Sequence, residues 1–219
     1  MDQLITGSAS DRRGTAPPLL CLSHLRWDFV FQRPQHLMTR AAHTRRVFFW
    51  EEPVVSPEGG PHLLVRPTPQ EVTVVTPVLP PDLDAATASR TLAQMLDRLI
   101  LAERLEKAVL WYYTPAALTF SAHRAASHRI VYDCMDELSA FLGADPALPG
   151  RERALLDLAD LVFTGGYSLY EAKRTAHHAV HPFPSGARGA FPPRARPAAR
   201  PGRPAAPAAP QAGLLRRDR

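Results

Sequence analysis

Two kinds of hydrophobic run alternate along the chain. Short, mainly apolar blocks at residues 19–22, 46–50, 109–113, 129–132 and 161–164 have the length and the branched or aromatic character of strands in a sheet covered on both sides. Between them lie stretches with helical spacing. One starts at Pro34 and carries Leu37, Met38, Ala41 and Ala42 on one stripe; a second, over 85–107, repeats Leu92, Met95, Leu96, Leu99 and Ile100. A third, over 151–160, sets Leu155, Leu156 and Leu158 to one side, and a fourth runs over 168–175. Residues 62–66 and 71–75 read as a hairpin or strand pair joined by Pro67 to Gln70, after which Pro77, Pro80 and Pro81 break the chain. Thr114-Pro115 starts a short helix, and residues 179–184 form a last extended segment. The repeated strand–helix order predicts an α/β parallel sheet covered by helices on both faces.

Charge changes this picture only at the end of the chain. The formal net charge is +5, but eight of the 26 basic and one of the 21 acidic side chains lie beyond residue 186, leaving 18 against 20 before it. The body therefore offers no electrostatic reason for a nucleic-acid partner. Cys21 and Cys134 are too few for a disulfide framework or a metal site and read as buried thiols in a reducing cytoplasm. No apolar run of 18 residues exists, and residues 1–17 read as a disordered polar lead without the apolar centre of a secretion signal. A soluble cytoplasmic protein is expected, with no metal and no cofactor.

The candidate chemistry gathers where strands end. The loop between Ser23 and Arg33 follows the first strand, and in open α/β sheets ligands bind beyond the carboxyl ends of strands. It presents His24, Trp27, Asp28, Gln32 and Arg33, with His36 on the following helix. Glu51 and Glu52 end the second strand; without a G-x-G-x-x-G they read as turn residues or contacts to a polar acceptor, not ribose ligands, which argues against a nicotinamide dehydrogenase or an epimerase. Trp111 and Tyr112 either line a cleft or alternate across a covered sheet. Asp133, Asp136 and Glu137 follow the 129–132 strand, placed to hold a substrate hydroxyl, act as a base, or cap a helix. Gly165-Gly166 marks a tight turn whose N–H groups face a possible anion. His36 has the alternative of a helix-surface residue, and Arg33 that of a partner to a nearby carboxylate.

The run from Ser23 to Leu37 resembles the W-x-x-x-x-Q-R-P-Q-H-L signature of a group of bacterial GT-B glycosyltransferases related to builders of cell-wall and surface polysaccharides, here with Trp27, Gln32, Arg33, Pro34, Gln35, His36 and Leu37. Tyr132 to Glu137 is similar to that group's Y-D-x-x-D-E segment, and Ala159 to Lys173 with His181 to Gly186 is similar to the end of its N-terminal domain, although Gly165-Gly166 departs from it. The resemblance covers about residues 19–186. It implies the Rossmann-like, acceptor-side N-terminal half of a GT-B fold (18–186), whose missing C-terminal domain holds most nucleotide-sugar contacts. The implied partners are a nucleotide-sugar donor, as substrate, and a glycan or lipid-linked acceptor, with peripheral membrane association through that acceptor. Implied catalytic residues are Asp133, Asp136 and Glu137; implied substrate-binding residues are His24, Trp27 (an apolar wall), Gln32, Arg33 and His36. The alternative is a non-catalytic acceptor-binding half-domain.

Residues 187–219 mix Pro, Ala and Arg without periodicity and are expected to be a disordered tail. A frameshift near Gly186 accounts for the break. Gly213 to Arg219 can be encoded so that a one-base shift reads Gly-Tyr-Tyr-Gly-Val-Ile-Asp, which resembles the opening of the second GT-B domain. The competing reading is a genuine basic tail for acidic partners.

Overall fold

A computed structural model describes residues 16–184. The expected tail and nearly all of the expected lead lie outside the described residues. The described chain runs β1 (Leu19–Leu22), α1 (Arg33–Ala42), β2 (Val47–Trp50), β3 (Val54–Val55), β4 (His62–Pro67), β5 (Val72–Leu79) and α2 (Ala85–Ala102). It continues through β6 (Val109–Tyr112), α3 (Leu118–Ser121), β7 (Arg129–Cys134), α4 (Leu148–Leu158), β8 (Leu161–Thr164), α5 (Tyr167–Lys173) and β9 (Val180–Pro182). All nine strands form one sheet in the order β3-β5-β2-β1-β6-β7-β8-β9, parallel throughout except for β4, which pairs antiparallel with β5. The α/β parallel sheet is as expected.

The apolar blocks are strands because both faces of the sheet are buried. One face sets Leu20, Leu22, Phe48, Trp50, Leu110, Tyr112, Tyr132 and Val162 against Leu92, Leu96, Leu99 and Ile100 of α2 and Leu155 and Leu156 of α4. The other sets Cys21, Phe49 and Val74 against Met38 and Ala42 of α1, with Trp111 packed beside them. Trp111 and Tyr112 therefore alternate across the sheet, the indole stacking on Phe163 at 5.6 Å.

Several boundaries differ from expectation for local reasons. Pro77 does not break the chain but sits inside β5. Val75 O accepts from Glu51 N on the β2 side, so the missing N–H of Pro77, two residues on, faces the gap between Trp50 and Val54, where no ladder bond is needed. Helix α2 stops at Ala102 rather than near Lys107, because Arg104 turns left-handed (φ 52°) and Leu105 N bonds back to Ile100 O. In α1, Pro34 takes the second helical position, not the first. Helix α4 begins at Leu148, and Leu158 faces solvent instead of joining Leu155 and Leu156. Strand β7 extends two residues further, which carries Asp133 inside the sheet.

Candidate functional site

The chain leaves β1 toward β2 on one side and returns through β6 on the other, so the sheet reverses direction between β1 and β6. That switch point opens a crevice at the carboxyl ends of the two strands. Ser23 N donates to Trp50 O and Tyr113 N to Leu22 O, both at 2.9 Å, so the first loop departs from a rigid base.

Buried side chains then shape the loop. The Glu51 carboxylate accepts from Trp27 N at 2.9 Å, from the Thr76 hydroxyl at 2.5 Å and from Arg26 at 3.4 Å. Gln35, fully buried, accepts from Gln32 N at 3.2 Å and donates to Trp27 O at 3.0 Å. Glu51 is thus an internal brace, not a turn residue or an acceptor contact. Trp27 does not form an apolar wall: its ring packs edge-on to Phe49 at 5.0 Å inside the core under α1. Phe29, Val30 and Phe31 take the exposed tip instead.

Arg33 and Asp133 pair with each other. Arg33 Nε lies 3.0 and 3.1 Å from the two carboxylate oxygens and Nη2 2.8 Å from one of them, while Nη1 donates to Phe183 O. Both side chains are buried, at 5% and 0% exposure. Burial pushes the Asp133 carboxyl above its ordinary value, and Arg33 offsets this only in part. Gln32 precedes α1 and is half-buried; His36 lies half-buried on that helix, its ring edge-on to Phe31 at 4.6 Å.

The three candidate carboxylates separate. Glu137 accepts from Lys173 Nζ at 2.8 Å and from the Ser139 hydroxyl at 2.7 Å; burial raises its carboxyl, but these two donors outweigh that and hold it below its ordinary value. Lys173 also reaches Glu152 at 2.7 Å, and Glu152 accepts from Tyr132 OH at 2.8 Å. Asp136 is exposed and in no ion pair among the described residues. Among the described residues no group of three or more His, Cys, Asp or Glu could hold a metal ion. Gly165 N is taken by Cys134 O at 2.9 Å, so this N–H of the glycine turn is not free for an anion.

Beside this braced loop, on the α2 side of the sheet, lies a crevice of about 220 Å³, lined by Ser23, His24, Trp50, Glu52, Thr114 and Phe120 among others. Trp50 stacks on Phe120 at 5.7 Å. His24 Nδ1 and Trp50 Nε1 are buried without a hydrogen-bond partner. Unsatisfied buried nitrogens are rare, and these two belong to residues on the wall of one cavity. Burial lowers the His24 pKa, against the charges of Glu52 and Asp136, so the ring is neutral near pH 7. Trp50 and Phe120 escaped the sequence reading because an aromatic in an apolar run reads as core. Their position at or just beyond the ends of β2 and β6, the two neighbours of β1, was the available signal. A larger hollow of about 350 Å³ at Lys107, His128 and Arg129 lies at the amino ends of β6 and β7, the opposite edge.

No family model matches the chain, nor does any curated protein. Solved structures do. The sucrose-phosphate synthase of Thermosynechococcus elongatus superposes with a TM-score of 0.50 at 11% identity, over 77% of this chain and 48% of its own. An α,α-trehalose-phosphate synthase (UDP-forming) of Burkholderia xenovorans, solved in complex with glucose-6-phosphate, gives 0.45 at 15% identity, over 68% and 40%. An E. coli structure described as trehalose-6-phosphate bound with UDP-2-fluoro glucose gives 0.45 at 14%, over 73% and 41%. The chain spans about half the length of these structures or less. At these identities the likeness is one of fold alone. Among the described residues no helix is long and apolar enough to cross a membrane.

Proposed function

We propose that residues 18–186 are the acceptor-side domain of a nucleotide-sugar-dependent glycosyltransferase of the Q-R-P-Q-H-L group. The observation that carries this reading is the switch-point crevice, whose wall carries the Glu52 carboxylate and a His24 with an unpartnered nitrogen. Neutral imidazole and free carboxylates accept hydrogen bonds, which suits them to sugar hydroxyls. In transfer, the acceptor oxygen bonds to the anomeric carbon as the bond to the nucleotide diphosphate breaks, and the hydroxyl proton passes to a base. Asp136 is the carboxylate free for such work, since Asp133 and Glu137 are committed to Arg33 and Lys173. Gln32, Arg33 and Trp27 act at one remove, by holding the loop, and His36 stands at its rim.

The donor-side half belongs to a second domain encoded after residue 186 in a shifted frame, and sequencing the gene through that codon tests this. A restored frame whose product transfers sugar from a panel of nucleotide sugars supports the reading; a restored frame with no transfer refutes the enzyme. If a single intact frame ends after Arg219, the second reading applies: a module that binds an acceptor without turnover.

A further inference from the structure

Resting on that assignment of the crevice, we infer that it accepts an uncharged or amino sugar and discriminates against sugar phosphates. The argument is one of charge and size. Among the described residues no Lys or Arg lines the crevice. The Arg26 guanidinium is engaged by two residues of the wall, by Glu51 at 3.4 Å and by Pro53 O at 3.1 Å. Glu51 in turn is consumed by Trp27 N, Thr76 and Arg26. What remains is the carboxylate of Glu52 on the crevice wall, in no ion pair among the described residues, and a His24 ring kept uncharged by burial. A phosphate dianion entering here meets the charge of Glu52, and among the described residues the crevice wall offers it no lysine or arginine. An ammonium group meets the Glu52 carboxylate beside the edges of Trp50 and Phe120.

The volume agrees. About 220 Å³ is small for a ligand pocket and suits a single sugar ring with the remainder of the acceptor outside.

The test titrates the full 219-residue chain at pH 7 with glucosamine, glucose and glucose-6-phosphate, read by saturation transfer from protein to ligand. One uncompensated charge–charge contact at about 5 Å in a half-wet crevice is worth about tenfold. Glucosamine should bind about tenfold more tightly than glucose, and glucose-6-phosphate at least tenfold more weakly. Glu52→Gln, at an exposed position, should leave the melting temperature unchanged and close most of the gap between glucosamine and glucose. Thr119→Trp, at the crevice mouth, should abolish binding of all three. Glucose-6-phosphate binding as tightly as glucose overturns the inference and leaves the crevice as a sugar site. Equal affinities for glucosamine and glucose, or a gap indifferent to Glu52→Gln, also overturn it. Binding that survives Thr119→Trp, or no binding of any sugar, overturns the crevice assignment as well.

Discussion

Replacing Arg33 with Met should be among the most damaging single substitutions in this domain, although Arg33 lies in a loop-to-helix junction that reads as functional. The change leaves the Asp133 carboxylate inside the sheet, at 0% exposure, without its three short contacts to the guanidinium. An orphaned buried charge of this kind costs about 3–5 kcal/mol. For a domain of this size that corresponds to a melting temperature lower by about 10–15 °C. The guanidinium also anchors Phe183 O, so the end of the described chain should loosen with it. Burial already outweighs Arg33 in setting the Asp133 pKa, which means the pair does not fully repay its own desolvation. The double variant Arg33→Met with Asp133→Leu should therefore regain most of the loss. Urea denaturation of the wild type, both singles and the double completes the cycle. Arg33→Met within about 1 kcal/mol of wild type, or a double variant no better than Arg33→Met, refutes the reasoning. Sugar binding in a stably folded double variant would place this pair outside the binding machinery, and its loss would return Arg33 or Asp133 to it.

Gly165→Ala puts a Cβ 2.5 Å from Met135 O, a backbone atom that cannot swing aside, and should cost about 1–3 kcal/mol; an unchanged denaturation midpoint refutes that contact. His24 is held below its ordinary pKa of 6.5 by burial, so the unfolded chain takes up this proton first. Its contribution is complete above pH 6.5 and lost as pH falls through that value toward the folded one. Denaturation midpoints between pH 8 and 5.5 should decline, and His24→Gln should flatten the decline. Lys173 is lowered by burial but raised more by Glu137 and Glu152, ending above its ordinary 10.5. The stabilisation it gives is complete below pH 10.5 and is lost as pH rises through the folded value. Lys173→Met should cost about 2–3 kcal/mol at pH 7, by stranding two carboxylates, and thermal melts should show it without the alkaline loss expected of the wild type.

The strands were legible because a doubly covered parallel strand has to be apolar on both faces, and each short block at 19–22, 46–50, 109–113 and 161–164 is one. Asp133 was misplaced by the same logic. A carboxylate normally ends such a run, and only a partner 100 residues away in sequence makes it tolerable inside the sheet. No local pattern contains that information. The first loop illustrates the same limit from the other direction. Its composition identified it as the special segment, but Gln35 and Glu51 are spent on backbone groups of the loop, and Arg33 on Asp133. The unusual polar residues there largely build the loop, and the groups left unpaired are plainer ones: His24, Glu52 and Asp136, all three named from the sequence, and the edges of Trp50 and Phe120. A motif dense in charged and amide side chains is therefore a guide to where a site stands. Which of its residues can meet a ligand follows only from counting which donors and acceptors the fold has not already used, and among those left over His24 Nδ1 and Trp50 Nε1 belong to residues of the crevice on the α2 side of the β1 end.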